Sequence, residues 1–331
     1  MMKCAVLGAG AWGAALADRL ARNAHDVRLW AYEPDVAESV NTTHRNRFLT
    51  GVDLSPSIVA STDVKEVVTG AQFVVLVAPS HVTRAVAEAA QPHLSRDAIV
   101  VVASKGIEQH SLARMTEVAA DVFDRPGAVA LSGPTFAAEV ARNQPAAIVA
   151  ACTERGPARQ VQRLFHGPAF RVYTQHDVIG VELGGAVKNV MAVATGIAEG
   201  LGLGFNARAA LITRGLAEMT RLGVALGADP ATFAGLAGMG DLVLTCTGQL
   251  SRNRSLGVEI GSGKTLDEAL AGRDTVAEGV ITTRSARELA ERAGVDMPIV
   301  DAVFSVLFDG QAPRDAIVDL MNRDPRAERD E

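Results

Sequence analysis

The sequence predicts an α/β protein in which a doubly wound, mostly parallel sheet is followed by an all-helical domain. Three observations carry that expectation. Short β-branched runs alternate with helix-like stretches through the first half, the strand signal stops near residue 176, and 331 residues are enough for about two domains with buried cores.

Strand-like runs fall over residues 3–7, 27–30, 73–77, 98–103, 128–131, 146–150 and 170–173. Two of them, FVVLV and AIVVVA, lack polar alternation, the pattern of central strands buried on both faces. The periodicity then turns helical over 177–200, 207–226, 280–293 and 299–308. The first of these sets Gly184, Lys188, Ala192 and Gly196 along one face, where small residues admit close approach of another helix. The boundary is expected near 175–180, giving domains over 1–178 and 179–322, and the highly charged tail over 323–331 is expected to fray.

Composition narrows the function classes. With 48% apolar and 21% charged residues and a mean hydropathy of +0.16, disorder and coiled coil are poor descriptions. Thirty-two Lys+Arg against 38 Asp+Glu leave a formal charge of −6, which disfavours nucleic acid and anionic membranes, so an anionic ligand must be held by a local cluster. Cys4, Cys152 and Cys246 are odd in number and contain no C-x-x-C pair, which argues against a disulfide framework or structural zinc. The seven histidines form no H-x-H or H-x-x-x-H pair, so no metal is expected. The chain enters a strand almost at once, leaving no room for a signal peptide, and no apolar run approaches the roughly 20 residues that span a bilayer. A cytoplasmic protein is expected.

The strongest local signal is Gly8-Ala9-Gly10-Ala11-Trp12-Gly13, after the strand KCAVL and before the helix-like AALADRLARN. Glycines there permit a tight turn, close approach to a pyrophosphate and close helix packing, while the helix N-terminus supplies N–H donors and a positive dipole. This context makes the first domain Rossmann-type and dinucleotide-binding. An NAD site ordinarily places an acid at the tip of the second strand, on the ribose 2′-hydroxyl. Here VRLW is followed by Ala31-Tyr32-Glu33, so that acid is missing at the tip. An uncharged tip tolerates a 2′-phosphate, for which Arg28, Arg45 and Arg47 are candidates, while Glu33 can still reach a ribose; NADPH and NADH both stay open.

Two lysines stand where a cleft is expected. Lys105 follows the buried strand AIVVVA, at the carboxyl end where open α/β sheets bind ligands, although a solvated loop lysine would look the same. Lys188 lies inside the apolar stretch GVELGGAVKNVMAVATG beside Asn189. It must snorkel to solvent or face a polar cleft, because an unpaired buried ammonium is costly. Desolvation or neighbouring positive charge would lower its pKa toward the range useful for acid–base work. The loop Ser132-Gly133-Pro134-Thr135-Phe136 offers backbone donors and a hydroxyl at another strand end, or simply a turn and cap. In the second domain, Gly240-Asp241-Leu242 and Ser251-Arg252-Asn253-Arg254 border helix starts, where a guanidinium, an amide and a helix dipole suit a phosphate as readily as a solvated turn.

One stretch is a decoy. Gly261-Ser262-Gly263-Lys264-Thr265 resembles the end of a P-loop, but Val258 stands where the first glycine is required and a helix-like stretch precedes it. It reads as an interhelical turn. There is no G-x-S-x-G for a serine hydrolase.

GAGAWGAALA at 8–17, APSH at 78–81, SKGIE at 104–108, LSGPTFAAEV at 131–140, GVELGGAVKNVMA at 180–192, NARAALITRGLAEM at 206–219, GMGDLVLTC at 238–246, SRNR at 251–254 and VAEG at 276–279 together resemble the bacterial NAD(P)-dependent glycerol-3-phosphate dehydrogenase family, in family order over nearly the whole chain. The resemblance implies reversible reduction of dihydroxyacetone phosphate to sn-glycerol 3-phosphate by NADPH or NADH, feeding glycerophospholipid synthesis, in a homodimer. It makes Lys188 the acid–base group and places Lys105, Gly133, Thr135, Asp241, Ser251, Arg252 and Asn253 on the substrate. It places Gly8, Gly10, Ala11, Trp12, Gly13, Tyr32, Lys105, Ala137, Arg252, Val276 and Glu278 on the dinucleotide. Ala11 replaces the usual serine, removing one hydroxyl contact to the pyrophosphate but no backbone donor, and Tyr32 replaces a commonly basic or imidazole residue, which leaves the adenosine-side preference open. Two other readings are weighed against it. A β-hydroxyacid or 6-phosphogluconate-type dehydrogenase would carry a different loop in place of SGPTF and SRNR. A nucleotide-sensing protein without turnover would lack Lys188 or Lys105.

Overall fold

A computed structural model describes residues 1–273, 277–325 and 327–328; Val276 lies outside them. The sheet has eight strands, β1 (Lys3–Leu7), β2 (Asp26–Trp30), β3 (Val59–Ser61), β4 (Phe73–Leu76), β5 (Ile99–Val102), β6 (Val129–Ser132), β7 (Ala146–Ala151) and β8 (Phe170–Gln175), in the order β3-β2-β1-β4-β5-β6-β7-β8. Every neighbouring pair is parallel except β6 and β7. The doubly wound, mostly parallel sheet is therefore borne out. The one strand the sequence reading lacks is β3, three residues long with Val59 exposed, too short to show a hydrophobic period.

Successive residues of β1 serve opposite faces. Cys4 and Val6 pack with Leu16 and Leu20 of helix Ala11–Arg22 and Leu164 of helix Arg155–Phe165. Ala5 and Leu7 pack with Val86 of helix Ser80–Ala90 and Val118 of helix Met115–Phe123. Strand order reverses between β1 and β4, so a crevice opens at their carboxyl ends, where such sheets bind ligands.

No strand follows Gln175 among the described residues, and the second half is helical. Its axis is helix Val178–Gly200, buried from Gly180 to Ala198. Helix Arg252–Gly261 lies against it backbone to backbone: a Cβ on Gly196 would collide with the Arg254 carbonyl, and one on Gly257 with the Val193 carbonyl. By length and mean hydropathy (1.3 over its most apolar window) Val178–Gly200 could cross a bilayer, which corrects the sequence reading that no such stretch exists; 78% of that window is buried inside the protein. Glu182 of this helix ties the two halves together, accepting from the Thr116 amide (2.8 Å), the Thr116 hydroxyl (2.5 Å) and Arg114 (3.2 Å).

The P-loop decoy is the expected turn. Lys264 pairs with Glu259 at 2.9 Å, and Thr265 caps helix Leu266–Leu270 with Glu268 answering in a capping box. The described part of the tail makes two contacts with the second domain. Arg323 pairs with Asp296 at 2.7 Å, and the Glu328 carbonyl accepts from Arg214 at 3.1 Å.

Candidate active site

The glycine turn sits at the carboxyl end of β1. Gly8 has φ +130°, and a Cβ there would come within 3.0 Å of the Val77 carbonyl group. A Cβ on Gly13 would collide with the Gly8 carbonyl, whereas one on Gly10 would meet nothing within 4 Å. Gly8 and Gly13 thus serve the fold, and Gly10 leaves open space facing the N-terminus of helix Ala11–Arg22. That terminus has no side-chain cap and no acid in its first turn. The Ala11, Trp12 and Gly13 amides are its orphan donors, and the Trp12 indole N–H is buried without a partner among the described residues. An unsatisfied, positively polarised turn with room before it fits a pyrophosphate. Asn46 holds the turn from behind, its amide donating to the Ala9 carbonyl at 2.8 Å.

At the adenosine end, Tyr32 is 78% exposed and its ring meets Trp30 edge-on at 6.4 Å. The three candidate arginines are otherwise engaged: Arg28 donates to the Glu66 carbonyl (3.1 Å), Arg45 pairs with Asp53 (3.0 Å) and Arg47 with Asp35 (3.3 Å). Glu33 precedes helix Pro34–Thr43 without capping it.

The chemical centre lies where helix Val178–Gly200 crosses the carboxyl ends of β5 and β6. Lys188 and Lys105, from the two halves, converge on Asp241, the first residue of helix Asp241–Thr247. Lys188 Nζ is 2.5 Å from Asp241 Oδ1, and Lys105 Nζ is 2.7 Å from Asp241 Oδ2. Lys188 also donates to the Thr245 hydroxyl (2.8 Å), and Lys105 to the Gly133 carbonyl (3.1 Å). Each ammonium has three N–H donors and spends two of them here, leaving one. Desolvation lowers the Lys188 pKa to about 8, with the Lys105 charge acting in the same direction and Asp241 opposing both. The two lysines and one carboxylate carry one net positive charge, and Arg252 adds a further cation that faces the Glu278 carboxyl.

Arg252 keeps part of its surface exposed at the start of helix Arg252–Gly261, and desolvation of its guanidinium lowers its pKa while Glu278 opposes the shift. Its neighbours are committed to the protein. Ser251 caps the helix by accepting from the Arg254 amide (3.2 Å), and Asn253 accepts from the Gly279 amide (3.0 Å) while donating to Asn189 (3.0 Å). Thr135 donates to the Gly133 carbonyl (3.1 Å), Ala137 begins helix Ala137–Ala141, and the Ser132 hydroxyl is buried without a partner among the described residues. Glu278 begins helix Glu278–Ala293 and accepts from Ser80.

The sequence reading did not single out Thr245, Ser80 or Asn46. Thr245 was within reach, being four residues after Asp241 on one helix and so on its face. Ser80 entered only as part of the APSH stretch at 78–81, with no role attached, and Asn46 carried no local signal. Among the described residues no group of three His, Cys, Asp or Glu side chains is placed to hold a metal ion.

Comparison with known proteins places this arrangement. The profile for the NAD-dependent glycerol-3-phosphate dehydrogenase N-terminus matches residues 3–158, and that for the C-terminus matches 177–318. The chain is 53% identical to a glycerol-3-phosphate dehydrogenase [NAD(P)+] of Syntrophotalea carbinolica, over 99% of this chain and 100% of that one. It is 54% identical to the like-named protein of Geobacter metallireducens, over 99% of each. The crystal structure of a glycerol-3-phosphate dehydrogenase from Coxiella burnetii superposes with a TM-score of 0.94 at 39% identity, covering 97% of this chain and 99% of that one. Profile matches across both halves and relatives 53% and 54% identical over 99% of the chain, on a fold with a glycine turn before a helix and a lysine pair joined through one buried aspartate, establish that the chain belongs to the NAD-dependent glycerol-3-phosphate dehydrogenase family.

Proposed function

We propose that the chain catalyses the reversible, NAD(P)H-dependent reduction of dihydroxyacetone phosphate to sn-glycerol 3-phosphate, with Lys188 as the acid–base group. The observation that carries this reading is the pair of lysines sharing Asp241, each with one ammonium N–H left to donate. Residues 1–178 hold the dinucleotide through Gly8 to Gly13, Tyr32, Lys105 and Ala137, and the second domain adds Arg252 and Glu278 from across the cleft. Residues 179–322 supply Lys188, Asp241 and the Ser251-Arg252-Asn253 turn. When bound, the reduced nicotinamide supplies the hydride. Lys188 gives its free proton to the carbonyl oxygen as negative charge develops there, and takes it back in the reverse direction. Asp241 keeps the ammonium charged and oriented, and Thr245 fixes its second N–H. Lys105 lends its remaining N–H to the same end of the substrate, with Gly133 and Thr135 forming the wall beside it.

Three cations, Lys105, Lys188 and Arg252, outnumber the Asp241 and Glu278 carboxyl groups and face a substrate dianion, with Arg252 as the accessible cation for the phosphate. Arg252→Ala is expected to raise KM for dihydroxyacetone phosphate about 10- to 100-fold with a smaller change in kcat, as loss of a charge-assisted bond costs about 1.5–3 kcal/mol. Steady-state rates of NADPH or NADH oxidation at 340 nm read this directly, and an unchanged KM would remove Arg252 from the phosphate site. The same reading places the enzyme in the cytoplasm as a homodimer, its product entering glycerophospholipid synthesis.

A further inference from the structure

We propose that Ser80 is a positioning residue, the joint through which the dinucleotide turn and the substrate-phosphate turn hold one another in register. The proposal rests on the reading of the site above. It begins at Gly8, whose Cα lies against the Val77–Ala78 peptide so closely that a Cβ would come within 3.0 Å of the Val77 carbonyl carbon and 3.1 Å of the Ala78 nitrogen. Two residues on, Ser80 starts helix Ser80–Ala90 and is 2% exposed. Its hydroxyl donates to Glu278 Oε2 at 2.6 Å and its amide to Glu278 Oε1 at 3.2 Å, across a sequence separation of 198.

The next peptide continues the line. The Gly279 amide donates to Asn253 Oδ1 at 3.0 Å, and Asn253 Nδ2 donates to Asn189 Oδ1 at 3.0 Å, beside Lys188. Gly279 is pressed so tightly into this joint that a Cβ would come within 2.8 Å of the Asn189 carbonyl and 2.9 Å of Asn253 Oδ1. The other flank is equally full: a Cβ on Gly106, which follows Lys105, would lie 2.5 Å from the Ser80 Cβ and 2.7 Å from its hydroxyl. One unbroken series of contacts therefore runs from the pyrophosphate turn through Ser80 and Glu278 to the turn that carries Arg252. Its links are hydrogen bonds of 2.6 to 3.2 Å and close approaches at Gly8, Gly106 and Gly279, so displacement at one end is resisted at the other.

Coupling of this kind is reciprocal and is measured as a change of one ligand's affinity by the other. The test is a fluorescence titration of NADPH with and without saturating sn-glycerol 3-phosphate. In the unchanged protein the second ligand is expected to shift the NADPH Kd by about fivefold or more. In Ser80→Ala, and in Glu278→Ala, which breaks the joint from the other side, the shift is expected to fall to less than about twofold. KM for dihydroxyacetone phosphate should rise in both while kcat changes less. Glu278→Gln keeps an acceptor for the Ser80 amide and a partner for its hydroxyl, and is expected to retain the shift. No shift in the unchanged protein, or a full shift in Ser80→Ala, would overturn the proposal. Turnover of dihydroxyacetone phosphate by the unchanged protein separates that outcome from failure of the site reading itself.

Discussion

Lys188→Ala is expected to lower kcat about 10²- to 10⁴-fold, the usual contribution of a positioned acid–base group, while NADPH affinity stays within about threefold. Lys188 donates to Asp241 and Thr245 in the second domain, and among the described residues it makes no hydrogen bond to the glycine turn, so its loss leaves the pyrophosphate donors in place. Truncation also leaves Asp241 paired with Lys105 at 2.7 Å, so the remaining carboxylate keeps one cation. Single-turnover absorbance at 340 nm separates the chemical step from binding. A kcat within about threefold of the unchanged protein would remove Lys188 from the proton transfer.

Asp241→Asn is expected to cost both activity and stability. Asp241 is 1% exposed and is the only carboxylate within salt-bridge distance of either lysine among the described residues. Breaking a buried pair by removing one partner typically costs about 3–5 kcal/mol, because the remaining charge is left uncompensated. Here two ammonium groups are stranded. Lys188 already has its pKa pulled down by desolvation, and without the opposing Asp241 charge it falls further, so less of it is protonated at neutral pH. The expected results are a markedly earlier midpoint in urea unfolding and a fall in kcat/KM of about 10²-fold or more. Unfolding within about 1 kcal/mol of the unchanged protein, with activity preserved, would mean that the lysines do not depend on this carboxylate.

How much of this was legible in the sequence follows from distance along the chain. The glycine turn was legible because strand, turn and helix are contiguous, and the structure places Gly8, Gly10 and Gly13 at the carboxyl end of β1. Lys105 and Lys188 each stood out locally, one after a buried strand and the other inside an apolar helix. Their meeting did not, since Asp241 lies 53 residues beyond Lys188 and 136 beyond Lys105. Only the family resemblance linked the three. Ser251 and Asn253 looked free on a helix start, yet a cap and a pair of amide contacts absorb their side chains. Arg28, Arg45 and Arg47 were close to the second strand in sequence, but their partners Glu66, Asp53 and Asp35 lie on segments whose approach no local pattern records. The tie between Ser80 and Glu278 is of the same kind, a contact created by docking one domain on the other.

The most direct test of Lys188 as the proton donor is the pH dependence of kcat/KM in both directions between pH 7 and 10, above the phosphate ionisation near 6. Reduction needs the ammonium, so its kcat/KM is expected to be level below about 8, the pKa to which desolvation lowers Lys188, and to fall about tenfold per pH unit above it. Oxidation needs the neutral amine, so its kcat/KM is expected to rise about tenfold per unit up to the same point and then level off. Proton stoichiometry fixes the ratio of the two directions at every pH, but the position of the shared break belongs to the group that carries the proton. A shared break near 8 is the expected result; profiles with no break across this range, or with breaks at different pH in the two directions, would contradict the assignment of the proton to Lys188.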